Sequence, residues 1–161
     1  MNWFFIICSY FIVGLISVTI KKHISFFNYF PDLLLITMLF YCFFKKKFFN
    51  QNMEGLYGLL HGIIAGFFSA CFSINQISFS IFAYMTAGFL AEKASGIVKV
   101  EDNFHWIVVF IISLIFYVIL GSFSFILYKN LPYNYIITVM YICVLNTIVY
   151  SLFEPFLKRK L

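Results

Sequence analysis

The chain is 161 residues long, 63% of them apolar and 23% aromatic, with only 11% charged and a mean hydropathy of +0.98. A soluble domain carries about 25% charged residues, because one core must be clothed in a hydrated shell; that shell is missing here, which excludes a water-soluble globular domain. The net charge of +5 does not mark a nucleic-acid binder either, since Lys and Arg sit at the ends of apolar runs, as membrane anchors do.

The first apolar run covers residues 2–20 and stops at Lys21-Lys22-His23. Met1 and Asn2 supply no positive side chain, and Cys8 follows two isoleucines, so the run reads as a retained helix rather than a secretory or lipoprotein signal. The second run, residues 31–47, opens on Pro31, which suits the first helical turn because its missing N–H has no partner there anyway. Asp32 suits the positive end of the helix dipole. About 17 residues reach only ~25 Å, so this is a short crossing whose lysines at 45–47 must snorkel. Residues 24–30 are expected along the membrane surface, and a re-entrant second segment with five crossings is the alternative.

The third run, 54–74, turns tightly at Asn75-Gln76 into the fourth, 77–92. A polar loop, 93–103, leads to the fifth, 105–127. Lys129, Asn130 and Pro132 break it before the sixth, 133–156, and the chain closes on Leu157-Lys158-Arg159-Lys160-Leu161. These runs are apolar on all sides, unlike the alternating strands of a barrel. The predicted fold is all-α: one polytopic membrane domain of six transmembrane helices. The N-terminus, the loops after the second and fourth spans, and the C-terminus hold Lys45, Lys46, Lys47, Lys93, Lys99, Lys158, Arg159 and Lys160. The remaining connections hold Lys21, Lys22 and Lys129. The positive-inside rule then puts both termini in the cytoplasm.

Gly55, Gly58, Gly62, Gly66, Ser69 and Ser73 share one face of the third span. Ser80, Ala83, Ala87 and Ala91 share one face of the fourth. Stripes without side-chain bulk let backbones approach closely, so the two faces are expected to pack against each other or to dock a partner's transmembrane helix. Polar residues at membrane depth are functional candidates by default. His61 has no carboxylate three or four residues away, and a bond to a backbone carbonyl of a neighbouring helix is expected in preference to a proton relay. Asn146, in mid-span, is expected to bond across to another helix. Glu54, Glu92 and Glu154 fall at helix ends where water should reach them. Cys8, Cys42, Cys71 and Cys143 lie one per run with no CxxC pair, which predicts neither disulfides nor a metal site. The sequence holds no Ser/His/Asp set, HExxH or P-loop. No catalytic, cofactor-binding or metal-binding residue is assigned, and a non-enzymatic protein is expected.

The order of features resembles a known family. Phe30-Pro31-Asp32-Leu33-Leu34-Leu35 opens a helix; Gly58-Leu59-Leu60-His61-Gly62-Ile63-Ile64-Ala65-Gly66 follows. The fourth helix reads Ala83-Tyr84-Met85-Thr86-Ala87-Gly88-Phe89-Leu90, and Asn146 precedes a Pro155-Phe156-Leu157-Lys158-Arg159 ending. This resembles the rod-shape-determining MreD family of bacterial inner-membrane proteins, most clearly from Phe30 to about Lys93 and again in the last helix. Two positions depart from it: Ala70 stands where many members carry aspartate, and Ser78 where many carry glycine, so no role of that aspartate carries over. The resemblance implies a multi-pass, non-enzymatic subunit of the cell-elongation machinery. Such a subunit binds the bitopic protein MreC and links MreB filaments indirectly to the peptidoglycan synthases. The arrangement is also likened to the vitamin-capturing subunits of energy-coupling-factor transporters. Those tend to carry an Ala-xxx-Ala face on the first helix, and residues 2–20 contain no alanine.

Overall fold

The computed structural model describes residues 3–23, 30–44, 56–72, 77–97, 105–128 and 134–160. All of their regular structure is helical: α1 (Trp3–His23), α2 (Leu33–Phe43), α3 (Leu56–Phe72), α4 (Ile77–Ile97), α5 (His105–Tyr128) and α6 (Tyr135–Lys160). The expected Asn75-Gln76 turn, the lysines at 45–47, Glu54, Gly55 and Ser73 lie outside the described residues.

The helices form an arc. α1 packs on α3, α3 on α4, α4 on α5 and α5 on α6, while α2 fills the middle and touches α1, α3, α4 and α6. Central placement explains why α2 buries Leu34, Leu35, Ile36, Met38, Leu39, Cys42 and Phe43. Only Leu33, Thr37, Phe40 and Tyr41, one stripe at helical spacing, remain half-buried.

The distribution of polarity is inverted relative to a soluble protein. His61, Ser80, Glu92, His105, Ser113 and Asn146 are buried, whereas Phe4, Phe5, Phe125, Ile126, Ile136 and Leu152 are exposed. Water would penalise such a surface at about 25 cal/mol per Å² of apolar area; lipid does not. Three helices, α1, α5 and α6, are long and apolar enough to cross a membrane. The protein is a helical membrane protein.

Three expected spans change their bounds. The second span was expected over residues 31–47, but its helix is Leu33–Phe43, 11 residues, or about 16 Å. That is roughly half of a ~30 Å hydrocarbon core. Pro31 therefore precedes the helix instead of occupying its first turn, and Asp32 is the N-cap. The sixth helix does not stop near Phe156; it runs through Pro155 to Lys160. α4 likewise continues past Glu92 to Ile97.

Candidate functional site

The first turn of α2 is the centre of a buried polar junction. Four amide groups at a helix N-terminus lack intrahelical acceptors. Asp32 takes one of them: its Oδ1 accepts from the Leu35 N–H at 3.0 Å. Its Oδ2 accepts from the Tyr84 hydroxyl of α4 at 2.6 Å. The Asp32 backbone N–H donates to Asn146 Oδ1 of α6 at 2.8 Å. Ser69 of α3 lies beside the same Tyr84 hydroxyl, and Tyr117 of α5 lies beside Asp32 and Asn146. Tyr84 falls in the first half of α4 and Asn146 near the middle of α6, so α2 begins at mid-depth of the bundle. One aspartate thus ties three helices together, α2, α4 and α6, through groups that hydrocarbon could not solvate.

The glycines of α3 make a different contact. A Cβ on Gly58 would land on the backbone carbonyl of Gly88, and one on Gly88 would land on that of Gly58. A Cβ on Gly62 would stand 2.5 Å from the Tyr84 carbonyl oxygen and 2.6 Å from Met85 Cα; one on Gly66 would stand 2.5 Å from Ile81 Cα. These neighbours are all backbone and cannot rotate aside. The small-residue face of α3 therefore packs on α4 within the chain. The register differs from expectation: the surface opposite the glycines is Ser80/Ile81, Tyr84/Met85 and Gly88, one turn apart each. Ala83, Ala87 and Ala91 are buried in the hydrophobic core instead. Ala70 is also buried.

Glu92 overturns an expectation. It was assigned to a water-reached helix end, yet it is 7% exposed. Its Oε2 accepts from the Gly58 N–H at 2.7 Å, which satisfies an orphan amide in the first turn of α3. The glycine that lets α4 come close also leaves room for that carboxyl.

His61 is fully buried, and its Nδ1 lies 2.9 Å from the Tyr10 hydroxyl, not against a carbonyl. Tyr41 stacks on the imidazole at 5.0 Å between centroids, and Trp3 and Tyr57 close round it. Ser9 joins the Tyr41 hydroxyl at 2.9 Å. This cluster pins α1 to α2 and α3. A third polar group sits near the far end of α2: His105 Nδ1 lies 3.3 Å from the Tyr150 hydroxyl and 3.7 Å from Glu154 Oε1, with the Phe43 ring against the imidazole.

Chemically, the Asp32 junction is a latch. Both carboxyl oxygens already accept from protein donors, and among the described residues no three His, Cys, Asp or Glu side chains gather as metal ligands. Asp32, Tyr84 and Asn146 meet; Gly58 meets Gly88, and Gly62 and Gly66 face the α4 backbone at Tyr84, Met85 and Ile81; Ala83 and Ala87 take the core; Pro31 stands outside the helix. Sequence reading missed the tyrosines. The available signal was that Asn146, in mid-span, required a partner on another helix. Compared with family models, curated proteins and solved structures, the chain matches none.

Proposed function

We propose that this chain is a non-enzymatic scaffold subunit of the bacterial cell-elongation machinery, of the MreD kind. In this reading the chain crosses the inner membrane six times, the second crossing containing the half-length α2, with both termini in the cytoplasm. It binds an MreC-like bitopic protein and helps couple MreB filaments to peptidoglycan synthesis. The observation that carries the reading is a convergence. The separated segments on which the resemblance rests, Phe30–Leu35, Gly58–Gly66, Ala83–Leu90 and Asn146, contact one another through Asp32, Tyr84 and the Gly58–Gly88 approach. The third and fourth spans are neighbours in sequence, but Asp32 and Asn146 stand 114 residues apart and had no need to meet.

One feature favours a second reading, a substrate-capture subunit of an energy-coupling-factor transporter. A half-length helix starting at mid-depth is where transporters with broken helices place ligand groups. Against it, the Asp32 carboxyl is already engaged by Leu35 and Tyr84.

The test is purification of the tagged protein in mild detergent, with identification of what accompanies it. A co-purifying single-span protein supports the scaffold, and a vitamin-sized small molecule supports the transporter. Topology is checked separately. A cysteine at Gln76 should react with an impermeant thiol reagent in intact cells and one at Lys160 should not; the reverse pattern would invert the proposed orientation.

A further inference from the structure

The interior between α1, α3 and α4 encloses an acid and a base that the Asp32 junction does not use. Glu92 of α4 is 7% exposed and accepts from the Gly58 amide at 2.7 Å. His61, fully buried, stands three residues beyond Gly58, hence one turn away on the same side of α3. Among the described residues, Glu92 is the charged side chain whose field reaches the imidazole. We propose that His61 and Glu92 form a buried proton-binding pair that holds one proton between them.

Three observations carry the pairing. First, the hydrogens do not balance within the cluster. The Tyr10 hydroxyl meets His61 Nδ1 at 2.9 Å, while Nε2 is buried and has no hydrogen-bond partner. A neutral tyrosine and a neutral imidazole bring two polar hydrogens to that one bond. A carboxyl one turn away completes the set, as acceptor when ionised and as donor when protonated. Second, the neighbours leave Glu92 as the group that can trade a proton with the ring. Facing the imidazole are Tyr10 from α1, Tyr41 from α2 and Tyr57 from α3 itself, with Cys42 of α2 beside Tyr10 and Tyr57. Phenols and thiols are neutral at pH 7. Lys93, next to Glu92 in sequence, lies over the Phe89 ring at 5.7 Å. Third, the surroundings accept the proton on either partner. The rings of Trp3, Tyr10, Tyr41 and Tyr57 have centroids 5.6, 5.8, 5.0 and 4.4 Å from that of His61. That is within the roughly 6 Å at which an aromatic face attracts a cation. Imidazolium with carboxylate, and imidazole with carboxylic acid, are both neutral as pairs, and neutrality is what an apolar interior demands. Tyr10 bonds to the same imidazole, so the hold on α1 is coupled to that proton.

The test is the pH dependence of folding in detergent, with the full chain compared against Glu92→Gln, whose amide oxygen can keep the Gly58 bond. Groups common to both proteins, His23 and His105 among them, cancel in the comparison. Above about pH 5 an unfolded chain holds no proton on residue 92 in either protein. The folded unsubstituted chain holds one proton more than the folded variant. Stability falls with rising pH where the folded state binds more protons than the unfolded one. The folding constant of the unsubstituted protein, divided by that of the variant, should therefore fall about tenfold per pH unit between about pH 6 and 8. A ratio that does not fall with pH would mean an ionised Glu92 beside a neutral His61, and would overturn the proposal. The part of His61 is read from His61→Gln and the double variant at about pH 7. The folding constant of the double variant should be about tenfold higher than the two single effects combined predict; additive effects would remove His61 from the pair. Infrared spectra of the unsubstituted protein need no variant. At about pH 8 exposed carboxyls are ionised and exposed imidazoles neutral, so a carboxylic-acid carbonyl band or an imidazolium band should persist. Absence of both bands would also overturn the proposal.

Discussion

Along α3 and α4 the contact is made where side chains are absent: Gly58 and Gly88 present carbonyls to each other, and Gly62 faces the backbone of Tyr84 and Met85. At the start of α2 the contact is made by side chains and amides: Asp32 joins Leu35, Tyr84 and Asn146. The two regions share Tyr84, whose carbonyl lies in the dry contact and whose hydroxyl lies in the polar one. The difference shows how a protein compensates for the loss of the hydrophobic effect between helices in lipid. A long hairpin can rely on dispersion summed over several turns. A helix of about 16 Å has too few turns for that and is fixed by hydrogen bonds at its buried end.

Substitutions that add bulk should break the dry contact with the largest effect. Gly62→Leu forces a side chain into a fixed backbone and should cost about 3 kcal/mol or more, read as loss of folded protein in detergent and lower abundance in the membrane. Cys71→Leu, on the exposed face of α3, is the control and should change little. If both behaved alike, the close approach would not be what holds the hairpin.

Next in size is the polar contact. Asp32→Ala removes the cap and takes from the Tyr84 hydroxyl its carboxylate partner, leaving it only Ser69, a loss of about 2–4 kcal/mol from the two effects together. A thermal midpoint in detergent measures it. Tyr84→Phe removes the hydroxyl's contacts with Asp32 and Ser69 but leaves the cap intact, and should cost about 0.6–1.7 kcal/mol. A Tyr84→Phe effect as large as that of Asp32→Ala would mean that the bond to α4, rather than the junction as a whole, carries the stability.

The smallest effect has the opposite sign. A Cβ on Gly96 would meet nothing within 4 Å. Gly96→Ala, inside α4, should therefore stabilise by about 0.5–1 kcal/mol through helix propensity alone. Destabilisation there would show that the end of α4 is packed after all.

How much of this was legible depends on the kind of contact. The glycine face was readable because small residues at helical spacing state their geometry directly: Gly58, Gly62 and Gly66 could not lie anywhere but on one side of a helix. Its partner was read a third of a turn out of register, because Ala83, Ala87 and Ala91 advertise smallness while backbone carbonyls at Tyr84 and Gly88 advertise nothing. The length of α2 was overestimated, since apolar residues continue to Phe44 and lysines begin at 45. A half-length helix at the centre of a bundle has the same composition as a short crossing. Asn146 stood out as a polar group at depth, while Asp32 was read as the start of a span; the bond between them spans 114 residues of sequence and has no periodicity to betray it. Glu92 was misread for a related reason: a carboxyl next to Lys93 looks like a solvated helix end, and only the position of Gly58 one helix away turns it inward.

The central claim is that α2 begins at mid-depth, latched between α4 and α6 by Asp32. Disulfide cross-linking tests it most directly, with Asp32→Cys and Asn146→Cys in a chain whose four native cysteines are replaced. Oxidation in native membranes should join the two positions, because the Asp32 amide and the Asn146 side chain are in hydrogen-bond contact and a disulfide needs Cα atoms within about 7 Å. Asp32→Cys paired with Phe153→Cys, on the lipid-facing side near the end of α6, should not join. Cross-linking of the second pair and not the first would place the start of α2 near the end of α6, and the account of the junction would fail.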